Sequence, residues 1–437
     1  MNKIKIIGIV FVIVAVIGVT LKLVSLSGIG SPTQPKKVTA HSIPGTSTHQ
    51  VPHSENSSDI SILNTTQVTS QFLPGATFIQ VDNNLHSLTE QILLAKGVGY
   101  LNVFINGWGT DNPEPSKGQY VWDTLDERIN IMRNIRGLSG GRTKLMISLC
   151  CAPDWMKSDS QIDTAPNPQN YADFAELSKQ VALRYPDVQY FQVWNELKGF
   201  DNNSSGYMRM YNDVYDAIKS VRPDTRVGGP YIGIGPGYIP DTVTSQWLNT
   251  KHGGEVIVVD GGFDSNSPTA DFSNAQFYID YGTWLRQQPN GGATLPFGWA
   301  EWYPGTVRPW ADVNHFNATM ANAMIDTLKG GASYALMWGV EGGITGAYKE
   351  GDGQQLSLVN NNQPTAWYRT VKDFYDFFGP GTPILQVKYR LPIAVTVLAS
   401  AQKTMLVNQL AHQQTLTLNG QKVILDAYQV VVMDTPQ

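Results

Sequence analysis

Cysteine is almost missing from this chain. Two occur in 437 residues, Cys150 and Cys151, and they are neighbours. Adjacent residues of a strand point to opposite faces, so an ordinary bridge between them is disfavoured, and a disulfide-stapled scaffold and a cysteine-built zinc site are both excluded. Histidine is sparse too: seven are scattered with no pair at metal-ligand spacing, so no metal site is expected. Charged residues make up only 15%, 31 basic against 36 acidic, without a long run of either sign. No basic patch large enough to grip a phosphate backbone is visible, which argues against nucleic acid as a partner. No Gly-x-Gly-x-x-Gly turn follows the first predicted strand, which speaks against a doubly wound dinucleotide-binding sheet. What remains is ordinary globular material of two or three domains, unusual only in its 11 Trp, 19 Tyr and 15 Phe.

The organisation changes three times along the chain. Lys3 and Lys5 precede an apolar run of about 16 residues, Ile6 to Leu21, closed by Lys22. That pattern predicts a signal peptide or membrane anchor over 1–27, with the leading lysines on the cytoplasmic side. The nearest cleavage candidate is Ser25-Leu-Ser27-Gly28, and it is a poor one. Residues 28–70 turn to Ser, Thr, Pro, His and Asn and read as a flexible polar linker, with Ile60–Leu63 as a short strand belonging to something folded further on. The expected location is the extracellular face, anchored or secreted.

From 71 to 378 strand-like and helix-like segments alternate. Strands are predicted at Thr77–Val81, Tyr100–Ile105, Lys144–Leu149, Val188–Trp194, Arg226–Gly229, Glu255–Val259, Pro296–Ala300 and Tyr334–Trp338. Helical patterns such as Leu88–Lys96, Trp122–Ile135, Tyr171–Tyr185, Tyr207–Val221 and Asn314–Lys329 fall between them. Eight strands with alternating helices predict an α/β fold, a (β/α)8 TIM barrel. Residues 379–437 read instead as short alternating strands with turn residues such as Asn419-Gly420, a small antiparallel β-domain.

In such a barrel the site lies at the C-terminal strand ends, so acids there carry the argument. Glu196 ends the fourth strand in Phe191-Gln-Val-Trp-Asn-Glu196, and Glu301 ends the seventh in Phe297-Gly-Trp-Ala-Glu301. Each sits among apolar and aromatic residues, where an unpaired carboxylate is costly. Two carboxyls facing each other across a barrel mouth are the apparatus of glycoside hydrolysis. A structural ion pair is the bland alternative for either acid. Trp155, Tyr231, Trp302, Trp338, Trp108 and Trp310 follow or end strands and offer faces for sugar rings, or simply pack. Glu341 lies just beyond strand eight; His252 and His315 read as surface or supporting residues.

Trp194-Asn195-Glu196 resembles the Asn-Glu signature ending strand four in clan A of the retaining glycoside hydrolases, and Glu301 between Ala300 and Trp302 resembles that clan's strand-seven nucleophile. Trp338 is similar to the tryptophan that floors the sugar subsite, and Gly118-Gln-Tyr-Val-Trp122 with Leu125-Asp126 to a segment after strand two. Pro153 and Trp155, with Gly228-Gly229-Pro230, resemble glycoside hydrolase family 39, the β-xylosidase and α-L-iduronidase family. The resemblance covers roughly residues 75–437. It implies Glu196 as acid/base, Glu301 as ionised nucleophile, Asn195 on the sugar 2-hydroxyl, retention of configuration, and no cofactor. It also implies a tyrosine or histidine near the sixth strand touching the nucleophile, which Asp260-Gly-Gly-Phe-Asp264 does not offer. The expected activity is that of an exported retaining glycosidase acting on oligo- or polysaccharide. The alternative is an inactive sugar-binding surface barrel, an adhesin or sensor.

Overall fold

Short strands that are apolar on both faces need cover on both sides, and a barrel wrapped in helices supplies it. The computed structural model describes residues 58–78, 87–107, 110–200, 203–263, 268–304, 312–338, 358–360 and 362–436. The apolar run and most of the polar linker lie outside the described residues. Among the described residues no helix is long and apolar enough to cross a membrane.

The chain begins with β1 (Ser58–Thr69), β2 (Leu73–Thr77), α1 (Leu88–Gly97), β3 (Tyr100–Phe104), α2 (Asp123–Leu138) and β4 (Lys144–Leu149). It continues with α3 (Tyr171–Arg184), β5 (Tyr190–Val193), α4 (Ser204–Val221), β6 (Arg226–Ile234), α5 (Thr242–Thr250) and β7 (Val256–Gly261). Then come α6 (Pro268–Ser273), α7 (Gln276–Arg286), β8 (Phe297–Trp302), α8 (Val313–Lys329) and β9 (Tyr334–Trp338). A small ladder of β10 (Val359–Asn360) with β11 (Gln363–Pro364) precedes α9 (Ala366–Phe377). The tail holds β12 (Pro383–Tyr389), β13 (Val395–Ala399), β14 (Lys403–Asn408), β15 (Gln414–Leu418), β16 (Gln421–Leu425) and β17 (Val430–Asp434).

Strands β2 to β9 close into a parallel barrel in chain order, β2 bonding both β3 and β9. The expected first strand lay four residues too late, because Pro74 and Gly75 read as breakers. Gly75 is needed where it is: a Cβ there would meet Leu336 at 2.5 Å and the Tyr100 Cβ at 2.9 Å. Inside the barrel a polar belt joins Thr77, Asn102, Ser148 and Gln192 by hydrogen bonds of 3.0–3.2 Å, and the Tyr334 hydroxyl donates to Gln192 at 3.2 Å. Each group is buried and each finds a partner, as an interior polar network requires.

Two readings of the sequence need correction. Residues up to 70 were expected in the polar linker with Ile60–Leu63 as a short strand; that strand is present but longer, β1 running from Ser58 to Thr69, antiparallel to β12 and parallel to β15. Beyond Leu63 the alternation is diluted by Asn and Thr, which hides the far half of a strand whose one apolar face is completed only by the tail. The turn at Asn419-Gly420 ties it in: both residues have positive φ, and the Asn419 carboxamide accepts from the Ile62 N–H at 2.8 Å. Cys150 and Cys151 also differ from expectation, since they are bridged, with an S–S distance of 2.04 Å. The peptide between them is cis, not the trans strand geometry on which the expectation rested.

The tail is a pair of packed sheets, β12-β1-β15-β16 against β13-β14-β17, around Ile60, Val397, Leu406, Leu416, Leu418 and Leu425. It is fastened to α8: Lys329 Nζ donates to the Val397 carbonyl at 3.2 Å, and the Asn322 carboxamide meets the Thr396 hydroxyl and Gln409. Leu418→Ala removes a fully buried side chain from this core. The variant should lose about 2–5 kcal/mol of stability, read as a lower midpoint in urea unfolding, with the barrel unfolding in the same transition.

Candidate active site

Strand ends of a closed barrel converge, and here three of them bring acids together. One carboxyl oxygen each from Glu196, Asp260 and Glu301 lies within 4.8 Å of the others. Glu196 follows β5, Asp260 stands near the end of β7, and Glu301 near the end of β8.

Each is aimed by a local irregularity. The turn after β5 has positive φ at Trp194, Glu196 and Leu197, conformations uncommon for residues with a Cβ and typical of functional sites. Burial of Trp194 holds the turn: its ring packs edge-on to Phe174 and Phe200, both at 5.6 Å, and its N–H donates to the Lys198 carbonyl at 2.8 Å. On β8 the pairing with both neighbours slips by one residue between Trp299 and Trp302. This bulge turns Glu301 into the mouth beside Ala300 and swings Trp302 to the outer layer. A second slip on β6, between Pro230 and Ile232, brings Tyr231 inward, where its hydroxyl donates to Glu301 Oε1 at 3.2 Å.

The charges are crowded. Glu301 is 8% exposed and Asp260 fully buried, while Glu196 is half-buried and paired with the Lys198 ammonium. Burial above all, then the Glu196 carboxylate, pushes the Glu301 carboxyl up to about 8, against the pull of Lys198 and the Tyr231 hydroxyl. Burial drives Asp260 far above the ordinary carboxylate range, with Glu301 and Glu196 adding to it. The Tyr303 hydroxyl donates to Glu196 Oε1 at 3.5 Å, and both Asp260 carboxyl oxygens are buried without a hydrogen-bond partner among the described residues. The oxygens are close enough to surround one cation, and the Lys198 ammonium already supplies one positive charge. The expectation that Glu301 ionises readily in the empty site is not what this burial favours. Glu301 sits deeper than Glu196, and the Lys198 ammonium pairs with Glu196.

The other expected residues divide. Asn195 is 1% exposed, and neither its Oδ1 nor its Nδ2 has a hydrogen-bond partner among the described residues. Tyr231 reaches the cluster, taking the contact expected of a sixth-strand residue but from the fifth strand. Trp338 ends β9, half-buried, with its ring edge-on to Phe104 at 5.8 Å. Trp155 sits in a turn after β4, its N–H donating to the Glu114 carbonyl at 2.9 Å. Trp302 does not line the mouth: its N–H donates to Thr327 on α8 at 3.0 Å and its ring stacks on Trp367 at 6.4 Å. His252 pairs with Asp216 at 2.8 Å on the surface, and His315 lies 3.1 Å from Asp271 against Tyr428. Trp108, Trp310 and Glu341 lie outside the described residues.

Sequence reasoning missed Asp260, Lys198 and Tyr303 as members of the cluster. Asp260 carries the signal that singled out Glu196 and Glu301, an acid ending an apolar strand, here Val256-Ile-Val-Val259.

No family model matches the sequence, and no curated protein does. Solved structures do match in fold. SrfJ from Salmonella typhimurium superposes with a TM-score of 0.63 at 15% identity, over 86% of this chain and 92% of that one. A family 39 glycoside hydrolase from Bacteroides cellulosilyticus WH2 gives 0.62 at 13% identity, over 85% and 81%. A monomeric beta-xylosidase from Caulobacter crescentus CB15 gives 0.54 at 17% identity, over 82% and 77%. The fold is one shared with solved glycoside hydrolases of families 39 and 30.

Burial of Glu301 predicts a pH signature in the empty protein. Its folded-state value is raised, so the proton is held more tightly folded than unfolded. Stability is therefore lost as pH rises from its ordinary value of 4.5 to about 8. Glu301→Gln cannot ionise and should gain on the wild type across that window, measured as the difference in Tm at a series of pH values. A difference that stays flat would contradict this electrostatic picture.

Proposed function

We propose that this chain is a retaining glycoside hydrolase, with Glu301 as nucleophile and Glu196 as acid/base, acting on oligo- or polysaccharide. The observation that carries the reading is the separation of the two carboxyls. Their nearest oxygens lie no more than 4.8 Å apart, which suits the close pair of a retaining site, roughly 5–5.5 Å, and leaves no room for the roughly 6.5–9.5 Å of an inverting one.

In the glycosylation step the Glu301 carboxylate attacks the anomeric carbon while the Glu196 O–H protonates the leaving oxygen. The C–O bond to the leaving group breaks and a glycosyl ester forms on Glu301. In the second step the Glu196 carboxylate takes a proton from water, whose oxygen displaces Glu301 and restores the starting configuration. The Tyr231 hydroxyl, donating to Glu301 Oε1, orients the nucleophile and favours its ionised form. A carboxylate kept this dry is poorly solvated and gains most when positive charge develops at the anomeric centre. The Asn195 carboxamide, without a hydrogen-bond partner among the described residues, supplies a donor and an acceptor for a sugar hydroxyl, and Trp338 an aromatic face.

A panel of aryl β-glycosides tests turnover, and a 2-fluoro sugar with a good leaving group tests the roles. The label is expected on Glu301 by peptide mapping. Glu196→Ala should slow substrates with poor leaving groups by about 10²–10⁴-fold while sparing activated aryl glycosides. Binding of sugars without turnover or labelling would instead favour the non-catalytic barrel.

The apolar run Ile6–Leu21 between lysines supports export with the run retained as an anchor. N-terminal sequencing of the exported protein should then find the run intact. A chain beginning near Gly28 would mean that it is a cleaved signal peptide.

A further inference from the structure

The proposed reaction uses two of the three acids at the mouth and leaves Asp260 without a part. Asp260 is fully buried, and neither of its carboxyl oxygens has a hydrogen-bond partner among the described residues. Such a group is costly unless something else satisfies it. A proton would serve one of the two oxygens and leave the other without a donor. A cation serves better, since it is itself the partner of every oxygen that faces it.

The geometry suits an ion. One oxygen each from Asp260, Glu196 and Glu301 forms a triangle with no side longer than 4.8 Å. Some point is then no more than about 2.8 Å from all three, within a few tenths of an ångström of the roughly 2.3–2.6 Å of Ca²⁺ ligation. Asn195, next in the chain to Glu196, adds a second buried residue whose Oδ1 has no partner among the described residues. Carboxamide oxygens are ligands that Ca²⁺ also accepts. Lys198 offsets only one of the three negative charges, and its side chain is 43% exposed, so it can swing into solvent as an ion enters.

We propose that Glu196, Asp260 and Glu301 form a site for a hard divalent cation, Ca²⁺, which competes with the sugar for the mouth. The site rests on these oxygens, and the competition rests on the glycosidase reading above. An all-oxygen set suits Ca²⁺ rather than the softer ions that cysteine and histidine take. The scarcity of those two residue types therefore does not bear on it. An ion held here occupies the Glu301 carboxylate that would attack the anomeric carbon and the Glu196 carboxyl that would carry the acid proton. Neither step of the proposed reaction can then proceed until the ion leaves. No covalent bond is made or broken by its binding.

Two variants and two readouts test it. Calorimetric titration of the full-length protein with CaCl₂, after treatment with a chelator, should show one ion bound per chain. MgCl₂ should bind at least about tenfold more weakly, because Mg²⁺ gives up its waters reluctantly. Asp260→Asn removes a charged ligand and should weaken Ca²⁺ at least about tenfold. Lys198→Met should tighten it, because the ammonium that competes for Glu196 is gone. Mere loosening of the fold would move affinity the other way. In kinetics, Ca²⁺ should raise KM for an aryl β-glycoside and leave kcat unchanged. No binding at about 10 mM CaCl₂, weaker than the weakest extracellular calcium modules, would overturn the proposal. So would unchanged Ca²⁺ affinity in a folded Asp260→Asn protein, or weakened affinity in Lys198→Met. Equally tight Mg²⁺ would overturn the assignment to Ca²⁺, and a fall in kcat at constant KM would overturn the competition. Absence of turnover, alongside the expected binding pattern, would count against the glycosidase reading and leave the ion site standing.

Discussion

Three carboxyl groups forced within reach of one another, with one ammonium among them, are the constraint around which this barrel mouth is built. Such a cluster cannot be fully ionised when buried. The groups around it take up part of that charge: Lys198 pairs with Glu196, Tyr231 donates to Glu301, and Tyr303 donates to Glu196. Each supporting group comes from a different strand end or turn, so the closed barrel is what brings them into register.

The scaffold resists this strain from two sides. Below the mouth, the belt of Thr77, Asn102, Ser148, Gln192 and Tyr334 ties strands across the barrel interior with satisfied hydrogen bonds. Outside it, Trp299 packs against Tyr278 at 4.8 Å and Phe277 at 5.4 Å, and Trp302 against Trp367. The two tryptophans flank the bulge that presents Glu301, so the aromatic layer anchors both ends of the irregular segment. Much of the aromatic wealth of the chain is spent here, on packing behind the site.

The tail domain closes a second circle in the chain. Strand β1 precedes the barrel in sequence but belongs to the sheet that follows it, between β12 and β15. The Ser70 hydroxyl donates to the Phe378 carbonyl at 2.7 Å, pinning the start of the barrel segment to its end. The asparagine network at Asn322 then couples the tail to α8, the helix that also carries Thr327, the partner of Trp302.

The sequence by itself determined the barrel, the tail and the two acids on which the proposed chemistry rests. Strand-length apolar runs alternating with amphipathic helices have few ways to bury both faces, and an acid at the end of such a run is conspicuous. It could not reveal which side chains share a face after an irregularity. A one-residue bulge on β8 reverses the alternation, and so put Trp302, expected at the mouth, behind it. The same kind of slip on β6 brought in Tyr231 from an unexpected strand. Asp260 was legible as an acid at a strand end, but its closeness to Glu196 and Glu301 depends on closure of the barrel. The pairing of β1 with strands more than three hundred residues later, and the bridge between Cys150 and Cys151, were likewise decided by tertiary structure. Local pattern reports burial and period; long-range pairing and backbone irregularities arise only when the whole chain competes for the same core.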